Sequence, residues 1–162
     1  MKKICIINTG GTFNKVYHPI TGTLDINKEA LNALTSKWLC HIETLDIIQK
    51  DSLAFEDKDR ETLLQKVLEI DAQAIIIVHG TDTMELSAQY LATHQSDKVI
   101  VLTGAMVPYS IDPVEATANL ASAYGFLQAE ETPGVYIAMH AIIAPYHKVT
   151  KERKEGRFIA LP

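Results

Sequence analysis

The chain has 162 residues, 47% hydrophobic and 22% charged, values that suit one globular domain with a sizeable core and argue against disorder. A net charge of -5 disfavours nucleic-acid binding, and the one basic run, "KVTKERKEGR", also carries two Glu and reads as a solvated loop. "MKK" is followed by only four apolar residues before Asn8, too few for a signal-peptide core or a membrane span, so a cytoplasmic location is expected.

In chain order, "KKICIIN" (2–8) is continuously apolar, as buried parallel strands are. "KVYHPITGTLDI" (15–26) places Pro19 and Gly22 between two short extended pieces and predicts a hairpin or flap. In 27–39, Leu31, Leu34 and Trp38 share one helical face, with Asn27 as cap. "IETLDIIQ" (42–49) predicts a second strand, and 58–70 a helix with a stripe of Leu63, Leu64, Val67 and Leu68. "AIIIVHG" (74–80) is the strongest strand signal; a helix over 83–94 and a strand over 98–105 follow. Asp112, Pro113 and Glu115 give the N-cap, first-turn proline and acidic third position of a further helix. "GVYIAMH" (134–140) and the tail "RFIALP" complete the strands. This alternation predicts a single α/β domain over 1–162, a mainly parallel sheet flanked by helices.

Ligands of open α/β sheets collect at the carboxyl ends of the strands. Four polar clusters fall there: "NTGGT" after the first strand, "KDS" after the second, "HGTDT" after 74–78 and "TGAM" after the next. "TGGTFNK" is neither GxGxxG nor a P-loop, so a nucleotide is disfavoured. A Thr12 nucleophile needs a base and backbone donors for an oxyanion, and Gly10 and Gly11 permit close approach of main-chain N–H groups. "HGTDT" adds a second hydroxyl, Thr81, beside the Asp82 carboxylate. These residues fit acyl transfer and fit a tight turn with a helix cap equally well. Cys5 and Cys40 lie far apart among apolar neighbours and read as reduced core thiols; with no CxxC or HExxH, no structural metal is expected. His79 is read as structural. His140 and His147 could approach each other, and Tyr109 and Tyr146 could line the pocket, with surface packing the stronger reading.

Taken in order, "TGGTF", the flap Tyr, "DS", "HGTDTME" and "TGAM…NL" resemble the bacterial-type L-asparaginases, a group that includes glutaminase-asparaginases and the asparaginase-like subunit of archaeal amidotransferases. The resemblance implies Thr12 as nucleophile and Tyr17 as its assistant, with Ser52, beside Asp51, holding the substrate α-carboxylate. Thr81 would orient the attacking group and Asp82 bind the α-amino group. Backbone near Gly11 and Gly80–Thr81 would form the oxyanion hole. The implied reaction is hydrolysis of a side-chain amide, asparagine to aspartate and ammonia, with no cofactor, in a homo-oligomer, a dimer by resemblance.

Three departures stand beside these matches. The family carries a Lys on the helix after "NL", whereas this chain reads "NLASAYGFLQAEETPG", with Gln128, Glu130 and Glu131 instead. Leu53 follows Ser52 where many members have Gln or another polar residue. The family's smaller C-terminal domain is expected to be missing from this chain. Without that Lys and domain, the alternative expectation is a catalytically weak or silent module that binds an amino acid or a partner.

Overall fold

A computed structural model describes residues 2–94 and 97–162. Five parallel strands form the centre: β1 (Ile4–Gly10), β4 (Glu43–Lys50), β5 (Ala74–Val78), β6 (Val99–Thr103) and β7 (Gly134–Met139). With β8 (Ile142–Pro145), antiparallel to β7, they line up as β4-β1-β5-β6-β7-β8. Two antiparallel pairs stand apart: β2 (Lys15–His18) with β3 (Thr23–Ile26), and β9 (Val149–Glu152) with β10 (Arg157–Ala160).

Every residue of β1, β5 and β6 is buried, because helices cover both faces. Alternate side chains of these strands enter opposite layers. Ile4, Ile6, Ile76 and Val101 pack with Leu31 and Leu34 of α1 (Glu29–Thr35) and Leu120 and Leu127 of α4 (Pro113–Ala129). Ile7, Ile75, Ile77 and Ile100 pack with Leu63 and Val67 of α2 (Asp57–Glu69) and Met84 and Leu91 of α3 (Met84–His94). The result is the expected α/β domain. Cys5 is buried between the layers, which pushes its thiol up to about 11 and leaves it inert.

Several expectations need correction. The helix expected over 27–39 is helical only through Thr35; Trp38 leaves it and sets its ring edge-on against Tyr124. Asp112 caps α4 through Val114 N–H as expected, but Glu115 is spent elsewhere, on Met106 and Val107 N–H and on His140. Strand β8 had no counterpart in the pattern. Gln128, Glu130 and Glu131 cannot stand near the site, because α4 runs 17 residues back along the sheet, about 25 Å of helix. Lys2, just ahead of β1, meets that end: its Nζ donates to Glu130 O, and Glu131 is its ion-pair partner. The basic run near the C-terminus is the β9–β10 hairpin, not a free loop. His140 and His147 take separate partners: His140 bonds Glu115 and Phe158 N–H, whereas His147 packs on Tyr146.

Candidate active site

The chain enters the sheet at β1, places β4 on one side of it and returns to β5 on the other, so the order reverses at β1. The crevice at such a reversal is where side chains from separate loops can meet a ligand. Three of the predicted clusters meet there. Gly11 has φ 75, and a Cβ on it would stand 2.5 Å from Gly80 Cα. A Cβ on Gly80 would in turn stand 2.6 Å from Ser52 Cβ. Only glycine permits this double approach, which brings Thr12, Ser52 and Thr81 to one edge.

Thr12 opens a single 3-10 turn (Thr12–Asn14) braced from below by a buried amide pair. Asn14 Nδ2 donates to Asn8 Oδ1 and to Gly10 O, both at 2.8 Å, and Asn8 Nδ2 donates to Asp46 Oδ1 at 2.8 Å. Phe13 is fully buried and stacks on Tyr109, confirming the packing role expected of that ring. The turn is thus rigid while the Thr12 hydroxyl, half-buried, has no hydrogen-bond partner among the described residues. Gly11 N–H is committed to Lys50 O at 3.0 Å, which leaves its neighbours, not Gly11 itself, as donors to a ligand.

Ser52 is buried, and its Oγ accepts from Asp82 N and Thr83 N at 3.2 and 3.3 Å; Thr83 Oγ1 donates to Ser52 O at 2.8 Å. It staples the 80–83 loop, although its own proton has no described acceptor. Asp51 accepts from Lys15 Nζ at 2.7 Å, and that bond chiefly holds its carboxyl below the ordinary range. Tyr17 sits in the β2–β3 hairpin opposite Leu24, 57% exposed.

The residue that the sequence reading missed is Lys151. Its Nζ donates to Thr81 Oγ1 and to Asp82 Oδ1, each at 2.8 Å, with its side chain only 10% exposed. The hydrogen bond from Lys151, then that from Arg153, holds the Asp82 carboxyl below its ordinary value. A cation therefore does stand on the Thr–Asp pair, supplied by β9 rather than by the helix after "NL". The hairpin is seated by Val149 and Phe158, both buried, by Lys151 N–H on Glu85 Oε1 at 2.6 Å, and by Phe158 N–H on His140 Nδ1 at 3.1 Å. The available signal was period two: Val149 and Lys151 fall on one face of a strand, so a buried valine carries the lysine inward.

His79 lies directly behind this edge. Its Nδ1–H donates to Gly80 O and its Nε2 accepts from Ser87 Oγ–H, both at 2.8 Å, the structural role expected of it. Complete burial pushes its pKa down from 6.5 to about 4. Between those values the unfolded chain binds a proton at this ring and the folded chain does not, so stability rises with pH across that window. A shift of this size corresponds to roughly 3 kcal/mol. Urea unfolding at pH 7 and pH 4.5 is therefore expected to show a marked loss of stability in acid, and His79→Gln should flatten the difference.

Comparison with known proteins decides the family. Residues 3–157 match the family model described as "Asparaginase, N-terminal". The chain belongs to the asparaginase family. The L-asparaginase of Thermococcus kodakarensis is 29% identical over 163 residues, covering 95% of this chain and 49% of that protein. The glutaminase-asparaginase of Acinetobacter glutaminasificans is 30% identical over 91% of this chain and 49% of its own length. A glutamyl-tRNA(Gln) amidotransferase subunit of Methanococcus maripaludis is 27% identical over 95% of this chain and 40% of its own length. Among solved structures, the thermostable L-asparaginase from Thermococcus kodakarensis superposes with a TM-score of 0.83 at 27% identity, covering 97% of this chain and 50% of that one. A probable cytoplasmic L-asparaginase from Campylobacter jejuni gives 0.80. The chain spans about half the length of the curated relatives it matches. No described helix of this asparaginase-family chain is long and apolar enough to cross a membrane.

Proposed function

We propose that this asparaginase-family domain carries the catalytic half-site of an amidohydrolase acting on the side-chain amide of asparagine or a close analogue. The observation that carries the reading is Lys151 bridging Thr81 Oγ1 and Asp82 Oδ1 at 2.8 Å, a hydroxyl, a cation and a carboxylate in hydrogen-bond contact at a sheet reversal. Such a contact fits proton handling, because the cation and carboxylate can hold a hydroxyl or a water in one orientation while charge moves.

In this reading Thr12 Oγ attacks the amide carbonyl carbon, and Tyr17 assists removal of its proton. The tetrahedral oxyanion is met by the main-chain N–H groups of Thr12 and Thr81. The C–N bond breaks, nitrogen takes a proton and leaves as ammonia, and the acyl group stays on Thr12 as an ester. A water held by Thr81 and Lys151 then hydrolyses that ester to the free acid. Asp82 and Ser52 fix the far end of the substrate, and no cofactor enters any step. The proposed ligand is a small amino acid, and the proposed setting is a cytoplasmic homodimer.

The test is ammonia release from L-asparagine, L-glutamine and D-asparagine by the purified protein, with Asp82→Ala beside it. Release from one of these amides, reduced by at least about 10²-fold in Asp82→Ala, is the expected result, since Asp82 anchors both Lys151 and the substrate. No release from any amide, with the fold intact, would overturn the enzyme reading.

A further inference from the structure

Asp82 carries more positive charge than its position requires. Lys151 and Arg153 both donate to the same oxygen, Oδ1, at 2.8 and 2.9 Å, and Arg153 Nη2 also donates to Asp82 O at 2.8 Å. The two cations differ in how firmly they are held. Lys151 sits in strand β9 with its side chain 10% exposed, whereas the Arg153 side chain is 63% exposed just past the strand. An exposed ion pair contributes little and is easily displaced. On the amidohydrolase reading above, Asp82 is the carboxylate that takes a ligand's ammonium group, and Arg153 is the more exposed of the two cations already on it.

We infer that Arg153 is a specificity-determining residue, which competes with a substrate ammonium group for Asp82 and recruits a substrate carboxylate to the same place. This rests on the amidohydrolase reading above. A guanidinium presents further donors once two are spent, and it pairs with a carboxylate in a forked geometry that an ammonium substrate cannot exploit. The favoured substrates are then ω-amides of dicarboxylic acids that lack the α-ammonium, with amino-acid amides admitted at the cost of moving Arg153 aside.

The experiment compares L-asparagine with succinamate, the same molecule without its ammonium group, in the wild type and Arg153→Gln. Because the pair is exposed, about a two- to five-fold effect is expected on each arm. KM for asparagine should fall and KM for succinamate rise, with kcat unchanged and the thermal melt unaltered. High salt should move the wild-type ratio toward that of the variant. Turnover that disappears in Thr12→Ala, with the asparagine-to-succinamate ratio unchanged by Arg153→Gln, would overturn the inference and leave the enzyme reading standing. If neither amide is turned over, calorimetric binding of L-aspartate and succinate replaces kinetics: the same shift in ratio supports Arg153. Binding of neither, or an unshifted ratio, overturns it, and the missing turnover separately overturns the enzyme reading.

Discussion

Replacing Lys151 by methionine is expected to lower amide hydrolysis on the order of 10⁴-fold while the protein still folds. Methionine keeps the length and much of the apolar stem, so the buried β9 packing survives and the charge alone is lost. In the wild type, Lys151 holds Thr81 Oγ1 and Asp82 Oδ1 together at 2.8 Å each. Without it, Asp82 keeps Arg153 as a partner and Thr81 loses the donor that fixes its hydroxyl. Loss of one charged member of a hydrogen-bonded relay typically costs about that factor. Steady-state ammonia release measures it, with KM for asparagine expected to change far less than kcat. A variant within tenfold of wild type would place the proton relay elsewhere.

Thr12→Ala and Thr81→Ala are each expected to cost about 10⁴-fold or more, and the double variant little beyond either, because groups acting as one unit are strongly non-additive. The two hydroxyls differ in surroundings: Thr81 accepts from Lys151, while Thr12 has no described partner and rests on the Asn8–Asn14 brace. On the proposed mechanism the attack falls to Thr12 and the handling of water to Thr81. Rapid quench followed by mass measurement separates them. In Thr81→Ala the ester should form on Thr12 and persist, whereas in Thr12→Ala no adduct should form. An adduct on Thr81 would reverse the assignment.

Much of this fold was legible because its strands are buried on both faces. "ICIIN" and "AIIIV" are continuously apolar, and only a strand covered by helices on each side reads so. The Asp112–Pro113 start of α4 was equally plain, since its signal is local. What stayed hidden was non-local or disguised. Strand β8 follows a two-residue turn at His140 and Ala141, with φ 53 and 63, where glycine or asparagine is the usual signal. Tertiary bonds take the place of that chemistry: His140 N–H donates to Asn119 Oδ1, Nε2–H donates to Glu115, and Nδ1 accepts from Phe158. For the site, the positions of Thr12, Ser52, Thr81 and Asp82 at strand ends followed from pattern and resemblance. Lys151 did not, because a charge-rich run resembles solvent-facing loop until Val149 and Phe158 are seen to anchor it. Nor could pattern foresee that Ser52 Oγ would also staple the 80–83 loop by accepting from Asp82 and Thr83 N–H.

The bond between Lys151 and Thr81 spans 70 residues of sequence. On a ribosome adding about 5–20 residues per second, several seconds therefore pass between the appearance of the hydroxyl and that of its cation. In that interval β1, β5 and the glycine contacts can assemble into a shaped but unarmed crevice. Chemical competence arrives only when the β9–β10 hairpin docks, so on the proposed mechanism turnover reports that this hairpin has been made and has folded in place.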